Sequence, residues 1–327
     1  REAFDRARTL EDALVHAWTG AGADPARLTS GISRHWSPAA GVPALLLNTT
    51  TVETGARLVI ANIGRRDPAL VPAGRACPTA RPCLFADLVP AAEPPLVSAA
   101  FASARFPLVT PVATVPITSH DCNPDAPLAS PPRPCRLVDG GYFENSGTET
   151  IMDVLLALDD WLAATGGAAM VVRITNSAAT TKLAPGTGGR PWAPGGFNEL
   201  LSPVRALLST RSARGRLAED RLTTMAASRG ERLEVVRLRL APGGVEIPLG
   251  WSLSDAARTD IRRQILGGEP RRCLVETPAA DVTTENRNAL VRLAAFVDGT
   301  APPRCADSAA SDAEPVAQRE PAHGEHQ

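Results

Sequence analysis

The stretch Leu137-Val138-Asp139-Gly140-Gly141-Tyr142-Phe143-Glu144-Asn145-Ser146-Gly147 is where this chain could do chemistry. A short apolar run ends in a carboxylate. The two glycines after it let the backbone turn tightly and leave room beside the carboxylate. In open α/β sheets ligands bind outside the carboxyl ends of the strands, so Asp139 stands where an acid or base would be placed. Taken alone, Asp-Gly-Gly is more often an ordinary turn. The rival candidates are weaker. The histidines are His16, His35, His120, His323 and His326, and a Ser-His-Asp site would need one of them beside a nucleophile elbow. No Gly-x-Ser-x-Gly occurs anywhere in the chain. Gly31-Ile32-Ser33-Arg34-His35 comes nearest, but its fifth residue is His and no strand precedes it. Ser98 and Ser103 fall among small residues, where a hydroxyl more often permits close packing than attacks a substrate. His120 with Asp121 has no third ligand, so no metal is implied. No cofactor is implied either.

The elements around this stretch read as alternating strands and helices. Residues 1–20 form a helix, with Leu10, Leu14 and Trp18 on one face and Glu11 and Asp12 on another. Residues 21–42 read as a loop. Residues 44–52 and 57–63 form two strands joined by a turn at Gly55, an antiparallel hairpin. Residues 64–92 are irregular. A helix of small residues spans 95–105, entered through Pro95, and a Pro-rich excursion covers 108–135. The strand ending at Asp139 leads into a helix over 146–164, with Ser146 and Glu149 in a capping-box pattern. Further strands are predicted at 170–175 and 232–240, and further helices at 198–228, 252–266 and 285–298. Alternation of this kind predicts an α/β sheet covered by helices on both faces, mixed because of the hairpin but largely parallel. A single domain over 1–300 is expected, followed by a disordered Ala/Pro/acidic tail over 301–327. Trp192 and Phe197, in the Gly/Pro-rich stretch 183–197, read as aromatics anchoring a surface loop, with a mobile lid as the alternative. Asp159 and Asp160 read as a solvated helix face.

The 327 residues are 44% hydrophobic with a net charge of −1, enough for a sizeable core and too nearly neutral to favour nucleic acid. Lys182 is the only lysine, and no basic run is interleaved with aromatics. No stretch is long and apolar enough to span a membrane. Six cysteines fall in three sequence-local pairs: Cys77 with Cys83, Cys122 with Cys135, and Cys273 with Cys305. Disulfides in these pairs imply export, to the periplasm or a membrane surface. Free thiols in the cytoplasm are the alternative; zinc lacks any Cys-x-x-Cys.

The stretch 137–147 resembles the aspartate block of the patatin-like phospholipases, in which a strand ends in Asp-Gly-Gly or Asp-Gly-Ala. Two more blocks agree in order. Leu45-Leu-Leu-Asn-Thr-Thr-Thr-Val-Glu-Thr-Gly55 looks like the family's strand and turn after the nucleophile region, and Ser98-Ala-Ala-Phe-Ala-Ser-Ala-Arg-Phe-Pro107 like its small-residue helix. The likeness covers about residues 1–175. It implies a three-layer α/β/α fold and a carboxylic ester hydrolase acting on lipids. A serine in Gly-x-Ser-x-Gly attacks the ester, Asp139 activates it, and Gly140 and Gly141 hold the loop open. The chain departs from the family in lacking that serine and the glycine-rich oxyanion loop before it. The expectation is therefore a C-terminal part, with N-terminal strands missing, that supplies only the Asp and is inactive alone. A lipid or phospholipid substrate and a membrane surface are the partners expected for the parent enzyme. The competing expectation is a non-catalytic patatin-like module that binds lipid or a partner protein.

Overall fold

A computed structural model of the chain describes residues 6–63, 83–88, 93–105, 110–115, 134–175, 196–241, 253–267, 273–275 and 282–305. The fold is mixed α/β, in two compact units: Arg1–Gly167 with Gly189–Arg229, and Ala168–Gly188 with Gly230–Gln327.

The first unit begins with helix α1 (Arg6–Gly20) and the single turn α2 (Ala26–Thr29). Strands β1 (Leu46–Thr51) and β2 (Arg57–Ala61) form the expected hairpin. Gly55 has φ +65°, which a side chain would resist, and closes its turn. Next come β3 (Cys83–Leu84), α3 (Phe85–Leu88), α4 (Leu96–Ser103), β4 (Ala113–Val115) and β5 (Cys135–Asp139). Helices α5 (Thr148–Thr165) and α6 (Gly196–Arg229) complete the unit. The strand order is β3-β2-β1-β5-β4. Only β2 and β3 pair in parallel; β1 runs antiparallel to both β2 and β5, and β4 antiparallel to β5. The expectation of a largely parallel sheet is therefore not met in this unit. A hairpin forces β1 against β2, and β5 enters beside β1 from the opposite end.

Strand alternation sorts the two faces of the sheet. Leu58, Ile60, Leu137 and Cys135 point one way and join Phe85, Ala99 and Ala102 in the apolar core. Ala99 and Ala102 carry only a methyl, so α4 can lie close on β1 and β5. On the other face Arg57 reaches α5, donating from Nη1 to Thr150 Oγ1 at 2.7 Å and pairing with Asp153. Three consecutive threonines in β1 suit a buried strand because every hydroxyl is satisfied. Thr49 Oγ1 donates to Leu58 O at 2.8 Å, Thr50 Oγ1 to Asp139 O at 3.0 Å, and Thr51 Oγ1 bonds Thr54 Oγ1 at 2.7 Å.

Two local readings are corrected. In α1 it is Ala7 that is buried, while Leu10 and Trp18 are exposed. Glu11 faces inward, where it accepts from Ser98 and pairs with Arg105. No capping box opens α5. Its N-cap is Gly147 in a left-handed conformation, and the buried carboxylate of Glu144 accepts from Ser146 N and from Glu149 N, the latter at 3.1 Å. The Ser146 hydroxyl accepts from Thr148 N instead, and the Glu149 side chain pairs with Arg221. The stretches read as loop or irregular also hold α2, β3, α3 and β4, each four residues or fewer.

The second unit pairs β6 (Ala169–Thr175) and β7 (Leu233–Arg239) in parallel, in register from Ala169 with Leu233 to Thr175 with Arg239. Helix α7 (Asp255–Leu266) opens on a side-chain cap, with Ser254 Oγ accepting from Ala257 N at 3.1 Å. Helix α8 (Val282–Val297) packs on β7 and α7. Asn286, fully buried on α8, ties all three. Its Oδ1 accepts from Arg239 N at 2.8 Å, and its Nδ2 donates to Arg239 O and Gln264 O, each at 2.8 Å. Cys273 and Cys305 form the expected disulfide beside a bridge between Leu274 and Arg304. Residues 301–305, expected to begin the tail, are thus held to the unit; 306–327 lie outside the described residues.

Candidate active site

Asp139 is the last residue of β5, two positions beyond the fully buried Leu137 and on the same face. Its backbone is fixed from both sides. Its N–H donates to Arg105 O at 3.2 Å, and its carbonyl accepts from the Thr50 hydroxyl. Beyond it Gly140–Tyr142 make one turn of 3-10 helix, and Gly141 N donates to Asp139 Oδ1 at 2.6 Å. That bond holds one carboxylate oxygen. Among the described residues Oδ2 has no partner, and the side chain is half-buried.

The two glycines are needed for different reasons. A Cβ on Gly140 would lie 2.5 Å from Asn48 O and 2.6 Å from Asn48 Cβ, so the turn can sit on β1 only without a side chain. A Cβ on Gly141 would come within 2.9 Å of Asp139 Oδ1, the atom its own N–H binds. Asn48 organises the surroundings. Its carbonyl accepts from Ser103 Oγ at 2.6 Å and its Oδ1 from Thr150 Oγ1 at 2.6 Å. Thr50 Oγ1 also accepts from Phe143 N at 3.1 Å. The turn after Asp139 is thus bound to β1, and β1 is bound in turn, through Asn48, to α4 and α5.

Helix α6 closes over the far side. Gly215 packs so near the turn that a Cβ there would sit 2.5 Å from Asn145 Oδ1. One turn earlier Arg211 acts on the hydroxyl of Tyr142. Burial raises that hydroxyl above its ordinary pKa of 10.0, Arg211 draws it back, and the Asp139 carboxylate pushes it up. Arg214 lies 4.4 Å over the Phe143 ring, and Arg57 approaches the same ring at 5.5 Å.

Comparison of the chain with protein-family models, with curated proteins and with solved structures finds no match. The reading of the site rests on its own residues.

Of the expected site residues, the structure brings Asp139, Gly140 and Gly141 together in one turn. Ser103 is a packing residue, its hydroxyl satisfied by a strand carbonyl. Ser98 lines a cleft of about 620 Å³ with Glu11 and His16, apart from the Asp139 turn, and donates to Glu11 Oε2 at 2.8 Å. Ser33 sits in a 3-10 turn after an isolated bridge from Gly31 to Pro95 and bonds Glu93; this is not a strand-to-helix elbow. Cys83 and Cys135 are disulfide-bonded, whereas Cys77, Cys122, His120 and Trp192 lie outside the described residues. Phe197 falls in the first turn of α6. Asp159 is half paired, to Arg229 at 3.0 Å. Among the described residues no His/Cys/Asp/Glu group could hold a metal, and no helix is long and apolar enough to cross a membrane.

Sequence reasoning missed Asn48, Tyr142, Arg211 and Arg214. Asn48 had a signal: asparagine is depleted in strands, so one inside an apolar and β-branched run marks a polar task. The arginines had none, since α6 is long and arginine-rich throughout.

Proposed function

We propose that this chain is the aspartate-bearing part of a patatin-like lipid acyl hydrolase with a three-layer α/β/α core. The observation that carries the reading is the half-held carboxylate. Asp139 stands at a strand end with Oδ1 fixed by Gly141 N–H, while Oδ2, without a partner among the described residues, would take a proton. In the reaction a serine hydroxyl gives its proton to Oδ2 and its oxygen attacks the ester carbonyl, forming an acyl-enzyme. The same carboxyl then protonates the departing alcohol. No histidine is required. The chain has no Gly-x-Ser-x-Gly, so the serine would come from outside these 327 residues. The three cysteine pairs fit an exported or membrane-associated protein, and the substrate class implies contact with a lipid surface. Together with the missing serine, the sequence keeps one competitor in play, a patatin-like module that binds lipid or a protein without turnover.

The test is p-nitrophenyl ester hydrolysis by the complete gene product beside its Asp139→Asn form. The expected loss is at least about 10²-fold in kcat, the low end for removing a general base. An inactive parent, or a variant as active as the parent, would leave the binding module as the better account.

A further inference from the structure

The cleft of about 620 Å³ is lined by α1, Thr29 of α2 and the first turn of α4, and no residue of the Asp139 turn takes part in it. Its volume is that of a small-molecule site. Side chains four residues apart on a helix share a face, and α1 turns two such rows towards the cleft. One row is Glu11, Val15 and Thr19; the other begins with Arg8 and Asp12. The first row is already satisfied. Glu11 accepts from Ser98 Oγ at 2.8 Å and lies 3.6 Å from Arg105 Nη2, so its charge is matched within the fold. Thr19 Oγ1 donates to Val15 O at 2.9 Å, and Thr29 Oγ1 to Pro25 O at 3.1 Å. Both hydroxyl protons are spent on the backbone, and each oxygen keeps a lone pair as an acceptor. The second row is open. Arg8 and Asp12 both line the cleft, and neither has a partner among the described residues. Their Cβ atoms stand about 5–6 Å apart, a spacing at which opposite charges can pair. Arginine before aspartate is the weaker order along a helix, because each charge then opposes the dipole. A cation and an anion side by side and unpaired are the complement of a small zwitterion.

We propose that this cleft binds a free α-amino acid with a large apolar side chain. Arg8 takes the carboxylate in a forked, charge-assisted bond, and Asp12 takes the ammonium. The threonine oxygens are further acceptors for the ammonium protons. The side chain lies against Val15, Pro95 and Val97, the apolar part of the lining. In an α-amino acid both charged groups sit on one carbon, which suits partners on adjacent helix turns. In a peptide at least one further residue separates them. The site is independent of the hydrolase reading of Asp139 and stands whether or not the protein cleaves esters.

The test is calorimetry on the complete gene product with L-phenylalanine and two analogues of the same shape. 2-Phenylethylamine lacks the carboxylate, and 3-phenylpropanoate lacks the ammonium. L-Phenylalanine is expected to bind at least about tenfold more tightly than either, since each analogue leaves one charge of the pair unmatched. Absent binding of L-phenylalanine, or equal binding of all three, overturns the site. The variants Arg8→Gln and Asp12→Asn then assign the two ends. Each should weaken L-phenylalanine about tenfold. Arg8→Gln should leave 2-phenylethylamine as it was, and Asp12→Asn should leave 3-phenylpropanoate as it was. Both side chains are exposed, so an unchanged denaturation midpoint is expected to accompany the loss. L-Phenylalanine bound equally well by the double variant R8Q/D12N overturns the placement. Glycyl-phenylalanine bound as tightly as L-phenylalanine overturns the assignment to a free amino acid.

Discussion

A single backbone contact decides what position 140 can be. With Asn48 O and Cβ lying 2.5 and 2.6 Å from where a Cβ would sit, Gly140→Ala has no space to enter. The clash is with a strand, so neither side can swing away. The expected result is a loss of more than about 1 kcal/mol in stability, in the range of overpacked cores, seen as a lower denaturation midpoint. Tyr142 gives a second residue-scale prediction. Burial lifts its pKa above 10.0, so the folded state holds that proton longer than the unfolded state does. The contribution to stability is complete below pH 10.0 and is lost as pH rises through the folded value. Tyr142→Phe removes the titration. Between about pH 9 and about pH 11 wild type should therefore lose more stability than the variant, and parallel losses would refute the assignment.

Elements are joined here by buried polar side chains as much as by apolar contact. Glu144 accepts from two backbone N–H groups at the start of α5, a place where a negative charge is favoured by the helix dipole. Glu144→Ala should cost about 1–2 kcal/mol, as loss of a strong cap does, measured by chemical denaturation. In the second unit Asp260 does similar work inside α7. Hydrogen bonds from Arg263 and Gln264 hold its carboxyl below the ordinary 3.8, against the opposing effect of burial. That contribution is present above pH 3.8 and is lost as pH falls through the lowered value. Asp260→Asn should therefore flatten the acid limb of the unfolding curve. Much of this layout was legible in sequence. The 57–61 strand and the Asp139 strand stand within a few residues of their expected places, because hydrophobic period is a local property. The capping box at Ser146 was not, since Glu144 folds back to the same N–H groups and Gly147 turns left-handed between them.

On the scale of the molecule, each unit has its own means of holding together. The first is built on an apolar core around Leu58 and Leu137, both fully buried. Leu137→Ala should cost about 2–5 kcal/mol, and the strand that ends in Asp139 should loosen with it. The second unit has a smaller sheet and a disulfide closing a separation of 32 residues, a loop for which chain entropy suggests about 3–4 kcal/mol. Replacing Cys273 and Cys305 with serine should speed amide exchange in β6 and β7. Exchange rates left as they were would show that the Asn286 and Gln264 network suffices.

The sequence by itself determined the α/β class, the strand that delivers Asp139 and the need for glycine after it. Each follows from neighbours within a few residues or from a pattern of fixed period. Tertiary structure alone decided that β1 runs antiparallel beside β5, that Asn48 lies under Gly140, and that Arg214 stands over the Phe143 ring. Those facts join residues about 70 to 90 positions apart in the chain, where loop closure and packing choose the partner and no local period records the choice.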